Sequence, residues 1–278
     1  MDLSFDIRKF KDKAKEIRKS IILSLTEAGS GHLGGSLGLT DLFTYLYFQE
    51  LNHKPDNPKW EGRDRFILSI GHVAPVLYAT LAHTGYFPTE ELLTLRKLSS
   101  RLQGHPGKDH GLPGIEISSG SLGQGISVAV GLALAFKMDK KTNRVFTLCG
   151  DGELQEGSVW EAAMSASHFK LDNLIAIVDR NHCQIDGLTK DVMELEPLTL
   201  KWASFGWHVI TCNGNSFFEI ADAFEEAAQI RKQPIVIIAQ TLMGKGVPSI
   251  ENDYHWHGKV PTKEQCVEFI SELEKPRS

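Results

Sequence analysis

The sequence predicts an α/β fold, a parallel sheet with helices on both faces, and three observations carry that expectation. Short, nearly continuous apolar runs recur at 144-RVFTLC-149, 174-LIAIVD-179, 207-WHVITC-212 and 235-IVIIAQ-240. Strands read this way when neither side of the pleat faces water, the condition inside a doubly covered parallel sheet. Helix-like segments separate the runs, and strands alternating with helices build parallel sheets. Finally, no internal repeat and no low-complexity linker interrupts the 278 residues, so one domain spanning 1–278 is expected.

The elements follow in chain order. Residues 10–28 carry helix periodicity. A short strand, 65-RFILS-69, precedes a helix over 72-HVAPVLYATLAHTGY-86, where Pro75 fits only in the first turn. The small-residue-rich 121-SLGQGISVAVGLALAFK-137 reads as a tightly packed central helix. Strand 144–149 leads into helix 156-EGSVWEAAMSASHFK-170, and strand 174–179 into a loop and a short helical piece near 198-LTLKWAS-204. After strand 207–212, the segment 217-FFEIADAFEEAAQIR-231 puts Phe217, Ile220, Ala221, Phe224, Ala227 and Ala228 on one helical stripe. Strand 235–240 closes the series, and a looser C-terminal tail is expected from about Gly244.

Bulk properties exclude several classes of function. Apolar (41%) and charged (23%) shares are those of an ordinary soluble globular protein. A formal charge of -5 without blocks of like charge gives no reason to expect a nucleic-acid partner. The basic stretch 8-RKFKDKAKEIRK-19 is interrupted by Asp12 and Glu16 and reads as a solvated helix face. No apolar run approaches the ~20 residues that span a bilayer, so no membrane association is expected. The start, 1-MDLSFDIRKFK-11, has two acids and no apolar h-region, unlike a secretory leader. Cys149, Cys183, Cys212 and Cys266 form no CxxC pair, which argues against a disulfide framework or a structural zinc site. Cys149 and Cys212 fall in strand-like runs as small core side chains. A reducing, cytoplasmic location is the expectation.

In an open parallel sheet, ligands bind at the carboxyl ends of the strands. Asp151, in 150-GDGELQEG-157, and Asn181, in 179-DRNHCQIDG-187, stand just past two successive strand ends. A carboxylate and an amide oxygen are hard ligands suited to Mg²⁺, which commonly completes its octahedral shell with phosphate oxygens. Gly150 and Gly152 allow a sharp turn and close approach of a ligand. A helix beginning near Glu156 would aim free N–H groups at an anion. Alone, GDG reads more readily as a turn with a helix-capping acid; with Asn181 placed beside it, a metal–diphosphate site is the stronger reading. No G-x-x-x-x-G-K-[ST] occurs, and 120-GSLGQG-125 does not match the dinucleotide fingerprint. His255 and His257 lack a third ligand at zinc spacing.

Three histidines, His32, His72 and His105, each follow a glycine, in 29-GSGHLGGSLG-38, 69-SIGHVAP-75 and 103-QGHPG-107. A lone histidine is more often structural than functional. Three Gly-His steps outside the strands suggest a polar pocket that handles protons on a small hydroxylated substrate.

Together these segments resemble the thiamine diphosphate enzymes, specifically the N-terminal, diphosphate-binding half of transketolase. The resemblance runs from about Ile17 to His257, through 30-SGHLGGSLG-38, 70-IGH-72, 104-GHP-106, 117-ISSGSLGQGIS-127, 150-GDGELQEG-157 and 179-DRNHCQIDG-187. It implies that Asp151 and Asn181 bind Mg²⁺ through side chains and Cys183 through its carbonyl. Gly152, His72 and His257 would contact the diphosphate of thiamine diphosphate, and Gly120 and Leu122 would line its thiamine end. His32 and His105 would contact sugar hydroxyls and the reacting carbon unit, with His257 nearby. Glu156 would connect paired cofactor sites across a dimer interface. The chain departs from the usual pattern at Leu33, Ser121 and Arg180, and Cys183 replaces a bulkier apolar residue.

The implied activity is transfer of a two-carbon ketol unit from a ketose phosphate to an aldose phosphate. Full-length transketolases continue into a pyrimidine-binding domain that carries a glutamate essential for cofactor activation. The chain therefore resembles the N-terminal subunit of a split transketolase, working with a C-terminal subunit in an α2β2 assembly. A 1-deoxyxylulose-5-phosphate synthase-like chain, a 2-oxoacid dehydrogenase α-type subunit and a non-catalytic cofactor-binding module are the rival readings; 104-GHP-106 and 120-GSLGQG-125 favour transketolase.

Overall fold

Five strands form one parallel sheet in a computed structural model that describes residues 6–275. Residues 1–5, on which part of the leader expectation falls, and 276–278, at the end of the tail, lie outside the described residues. The strands are β1 (Arg65–Leu68), β2 (Val145–Gly150), β3 (Leu174–Arg180), β4 (Cys183–Gln184), β5 (Gly187–Leu188), β6 (His208–Asn213) and β7 (Ile235–Gln240). The main sheet has the order β1-β2-β3-β7-β6, while β4 and β5 form a separate two-residue antiparallel ladder. The helices are α1 (Ile7–Ala28), α2 (Leu33–Gly38), α3 (Thr40–Tyr45), α4 (Ala74–His83), α5 (Gln124–Met138), α6 (Gly157–His168), α7 (Thr189–Val192), α8 (Leu198–Ser204), α9 (Phe217–Ala227) and α10 (Lys263–Glu274).

Alternate residues of each strand feed two separate cores. Phe146 and Leu148 of β2, Ile175 and Ile177 of β3, and Ile235 and Ile237 of β7 pack under α1, α3, α4 and α9. Their neighbours Val145, Cys149, Leu174, Ala176, Val178, Val236 and Ile238 pack under α5, α6 and α8. This is why the strands read as unbroken apolar runs: both faces of the period-two pleat are covered. Cys149 and Cys212 are buried, as expected, and all four cysteines are free.

Among the differences from the sequence reading, two helix starts and one buried stripe have a clear local cause. The central helix starts at Gln124, because Gly123 takes a left-handed conformation (φ 80°) at its N-cap. Residues 71–73 form a 3₁₀ turn before α4, with Pro75 in the first helical turn. On α9 the buried stripe is Phe217, Ile220, Ala223, Phe224 and Ala227, rotated so that Ala221 is half-buried and Ala228 exposed.

The larger correction concerns the segment from Gly244, which is not loose. Met243, Val247, Ile250, Trp256, Cys266 and Phe269 are buried. Helix α10 begins with a capping box between Thr262 and Gln265, and its Glu274 pairs with Lys15 and Lys19 of α1. Glycines in α2 make the docking possible. A Cβ on Gly38 would lie 2.9 Å from the Leu242 carbonyl oxygen, and one on Gly34 would lie 2.6 Å from Met243 and 3.0 Å from the Trp256 carbonyl oxygen. The amide of Gly244 donates to the Gly34 carbonyl (2.9 Å), and that of Leu33 to the Lys259 carbonyl (3.3 Å). The returning segment is thus laced to α2 backbone to backbone, a close approach that a side chain at either glycine would obstruct.

Candidate functional site

A cleft of about 340 Å³ opens at the carboxyl ends of β2 and β3. His32, His72, Leu122, Asp151, Gly152, Glu156, Asn181, Cys183 and His257, all singled out from the sequence, line it. Of the remaining two, Gly120 lies against the ring of His105, which a Cβ on Gly120 would approach to 3.1 Å. Gly71 packs on Gly120 in turn, so Gly120 and His105 sit beside the turn that presents His72. A larger cleft of about 730 Å³ lies between α1, the start of α9 and the end of α10. Its ion pairs join Arg18 to Asp41 and Lys15 to Glu274, and among the described residues none of the buried polar atoms left without a partner lines it. The chemistry belongs to the smaller cleft.

Strands β2 and β3 pair in register up to Gly150 and Asp179, which brings Asp151 and Asn181 to one edge. Asp151 accepts the Gly152 amide at Oδ1 (2.8 Å) and, at Oδ2, the His182 amide (2.8 Å) and the Arg180 guanidinium (3.1 Å). Burial pushes its carboxyl up, opposed by Arg180 and the two amides. Asn181 is oriented from both ends: its Nδ2 donates to Asp179 Oδ2 (2.8 Å), and its Oδ1 accepts the Cys183 amide (2.9 Å). Each carboxylate or amide oxygen has two acceptor positions, so Asp151 Oδ1 and Asn181 Oδ1 each keep one for a ligand.

Three functional residues escaped the sequence reading. Glu153 is buried and accepts the Ser69 hydroxyl and Gly123 amide at Oε1 and the Gly150 amide (2.9 Å) at Oε2. One carboxylate thereby ties together the turns after β1, before α5 and after β2. Burial raises its carboxyl against those three donors. Asp179 stands behind Asn181, bonded also to the Thr241 hydroxyl, and burial pushes it up to about 7. Arg180, noted only as a departure from pattern, is buried against Asp151, Thr189 and Glu196. The signal for Glu153 and Asp179 was an acid at the end of an apolar run, which alone reads as a turn or cap.

On the other side of the cleft three imidazoles cluster. Ring centroids of His32 and His72 are 4.9 Å apart, of His72 and His257 5.1 Å, and of His32 and His257 5.7 Å. Burial, reinforced by His257 and other neighbouring cationic groups, lowers His32 to about 4 and His72 to about 3. Burial also lowers His257, and burial with Arg96 lowers His105. The cluster is therefore neutral near pH 7 in the chain by itself, able to accept as well as donate hydrogen bonds. Desolvation favours the uncharged rings, each with one donor and one acceptor nitrogen. Nδ1 of His32 and Nδ1 of His257 are buried without any partner. Buried polar groups are rarely left so, and these two nitrogens are polar positions on the cleft wall that the chain's own groups do not engage.

The residues fit a magnesium–diphosphate group. No group of three or more histidine, cysteine, aspartate or glutamate side chains that could hold a metal ion occurs among the described residues. A site of one carboxylate, one amide oxygen and one main-chain carbonyl suits a hard ion whose shell is completed by phosphate oxygens. His255 turns away into a pair with Asp253 (2.6 Å), leaving His257 alone at the cleft.

The family profile described as "Transketolase, thiamine diphosphate binding domain" matches residues 10–272. The chain is 42% identical over 261 residues to an apulose-4-phosphate transketolase subunit of Phocaeicola vulgatus, covering 94% of this chain and 92% of that one. It is 44% identical over 263 residues to the 6-deoxy-6-sulfo-D-fructose transketolase subunit SqwG of a Clostridium species, covering 95% of each. Human transketolase is 40% identical over 268 residues, 96% of this chain but 42% of that one. The crystal structure of Campylobacter jejuni transketolase superposes with a TM-score of 0.89 at 35% identity, over 95% of this chain and 42% of that one.

Proposed function

The chain belongs to the transketolase thiamine diphosphate-binding family, and from that premise we propose that it is the diphosphate-binding subunit of a two-chain transketolase, moving a two-carbon ketol unit between a ketose phosphate and an aldose phosphate. Relatives that it matches nearly end to end are named as subunits, whereas it spans about two fifths of the single-chain transketolases. The observation that carries the reading is the pairing, in one cleft, of an oriented carboxylate–amide edge with a neutral imidazole cluster holding two unpartnered nitrogens.

In this reading Asp151, Asn181 and the Cys183 carbonyl hold Mg²⁺, while Gly152, His72 and His257 hold the diphosphate. Leu122 and Gly120 shape the wall for the thiamine end. Thiamine diphosphate supplies, when bound, the carbon nucleophile that the protein itself lacks. Neutral His32 and His105 hydrogen-bond the hydroxyls of the sugar and take up or return protons as the C–C bond beside the carbonyl breaks and re-forms.

The same reading gives the chain two kinds of partner. One is a second polypeptide with the pyrimidine-binding domain and its glutamate. The other is a second copy of itself, in an α2β2 assembly with Glu156 linking paired sites. Supporting the second, α5 is apolar almost throughout yet leaves Val128, Gly131 and Ala135 exposed, and α6 exposes Met164. A Cβ on Gly131 would meet nothing within 4 Å, so the chain's own packing does not require that glycine. Among the described residues no helix is long and apolar enough to cross a membrane; a cytoplasmic setting remains part of the proposal.

Calorimetric titration with thiamine diphosphate tests the core of the reading. Wild-type chain binds it in the presence of Mg²⁺ and not in EDTA. Asp151→Ala weakens that binding at least 100-fold, and Asn181→Ala at least tenfold. Unchanged, metal-independent affinity in both variants would defeat the assignment.

A further inference from the structure

Arg180 closes β3 with its side chain only 3% exposed. Its Nη1 donates to Asp151 Oδ2 (3.1 Å) and to the Thr189 hydroxyl (2.9 Å), and its Nη2 to Glu196 Oε1 (3.0 Å). Its Nε is buried without a partner. Asp151 Oδ2, already accepting the His182 amide, has both acceptor positions occupied. Oδ1, bonded once to the Gly152 amide, is the one oxygen of that carboxylate left for a cation.

The charge balance is as restrictive as the geometry. The side chains that would touch the metal are a carboxylate and a neutral amide, and the third ligand is a neutral carbonyl. A guanidinium resting on that carboxylate cancels its charge where water cannot screen it. Glu196, the other acid on Arg180, is 54% exposed and offsets the guanidinium only partly. A bare divalent ion entering this edge meets one open carboxylate oxygen whose charge Arg180 already shares, while the neighbouring Glu153 and Asp179 carboxylates are turned to donors of the protein itself. The diphosphate brings anionic oxygens that no group of the protein has engaged.

We propose that Arg180 is a positioning residue that makes the site accept its divalent cation together with the diphosphate rather than alone, by occupying Asp151 Oδ2 and neutralising the carboxylate. The inference rests on the magnesium–diphosphate reading and adds to it a rule for the order of assembly. The guanidinium also couples that edge to the 183–198 segment, because Thr189 and Glu196 are its other partners.

The test uses the full chain and Mn²⁺, whose bound fraction is read by electron paramagnetic resonance with no turnover involved. Wild-type chain takes up Mn²⁺ alone at least 30-fold more weakly than Mn²⁺ with thiamine diphosphate. Arg180→Gln keeps a hydrogen-bond donor but removes the charge; it binds Mn²⁺ alone at least tenfold more tightly than wild type, and the gain on adding thiamine diphosphate shrinks. Glu196→Gln, at a half-exposed position that tolerates change, leaves the guanidinium's charge wholly on Asp151 and weakens Mn²⁺ binding with thiamine diphosphate about threefold. A folded Arg180→Gln chain with unchanged or weaker affinity for Mn²⁺ alone overturns the proposal. If that variant does not fold, Glu196→Gln decides it: weaker binding supports the proposal, unchanged or tighter binding overturns it. Failure of the wild-type chain to bind Mn²⁺ even with thiamine diphosphate would instead remove the underlying magnesium–diphosphate reading.

Discussion

On the strand-end side of the cleft, Asp151, Glu153, Asp179 and Asn181 have committed most of their hydrogen-bonding positions to the protein itself. Across the cleft, His32 and His257 each hold a buried ring nitrogen with no partner at all. The first side is part of what keeps the fold together and would look much the same without a ligand. The second side keeps polar positions that the chain's own groups leave open. Substitutions at Glu153 and at the histidines should therefore separate: mainly stability for the first, mainly turnover for the second.

His32→Ala gives the largest expected effect, at least a 100-fold loss of ketol transfer measured with the partner chain present, in line with the usual contribution of general acid–base groups. The same change shifts stability by about 1 kcal/mol or less. Glu153→Ala is its mirror image. It strands the Ser69 hydroxyl and the amides of Gly123 and Gly150 in a buried setting, and should cost about 3 kcal/mol in urea unfolding. Equal stability losses in the two variants would erase the contrast.

A subtler break reaches the imidazole side from outside it. Gly38→Ala sets a methyl group 2.9 Å from the Leu242 carbonyl oxygen, an overpacking expected to cost about 1–3 kcal/mol. Because the displaced segment carries His257, thiamine diphosphate affinity should fall as well, although Gly38 does not line the cleft. Calorimetry on this one variant reads both effects.

The smallest effect is a pH dependence. His32 and His72 have folded-state values near 4 and 3, below the 6.5 of an exposed histidine. A depressed group contributes its stability fully above 6.5 and loses it as pH falls through that value toward 4 and 3. In the cofactor-free chain this amounts to on the order of 1 kcal/mol between pH 6.5 and 4.5 after allowance for solvent screening, or about 2–4 °C in Tm. The double variant H32A/H72A should flatten that slope. Asp179, raised to about 7, works with the opposite sign, stabilising at low pH and losing its contribution as pH rises toward 7.

The sheet and the carboxylate–amide edge were legible in the sequence because both are written locally. Strand 235–240 was placed to the residue, and Asp151 and Asn181 followed from the rule that ligands gather at strand ends. What escaped depends on distant partners. Nothing near Gly244 shows that the segment will dock, since the residues that admit it are Gly34 and Gly38. Glu153 sits in a 3₁₀ turn beside Asp151 and looks like any turn acid until Ser69 and Gly123 are brought to it. Arg180 stood out as unusual, but its grip on Asp151 across a strand boundary was not readable. The protonation state of the histidines was likewise hidden, because it is set by burial rather than by residue type.

The lacing of the returning segment to α2 has a consequence for how the molecule comes into being on the ribosome. Every group that shapes the carboxylate edge is present once Thr241 has been synthesised, whereas the histidine wall waits for a residue 225 positions downstream of His32. A nascent chain therefore holds all the residues of the carboxylate edge before it holds those of the histidine wall, and the two sides of the cleft become complete at different moments of translation.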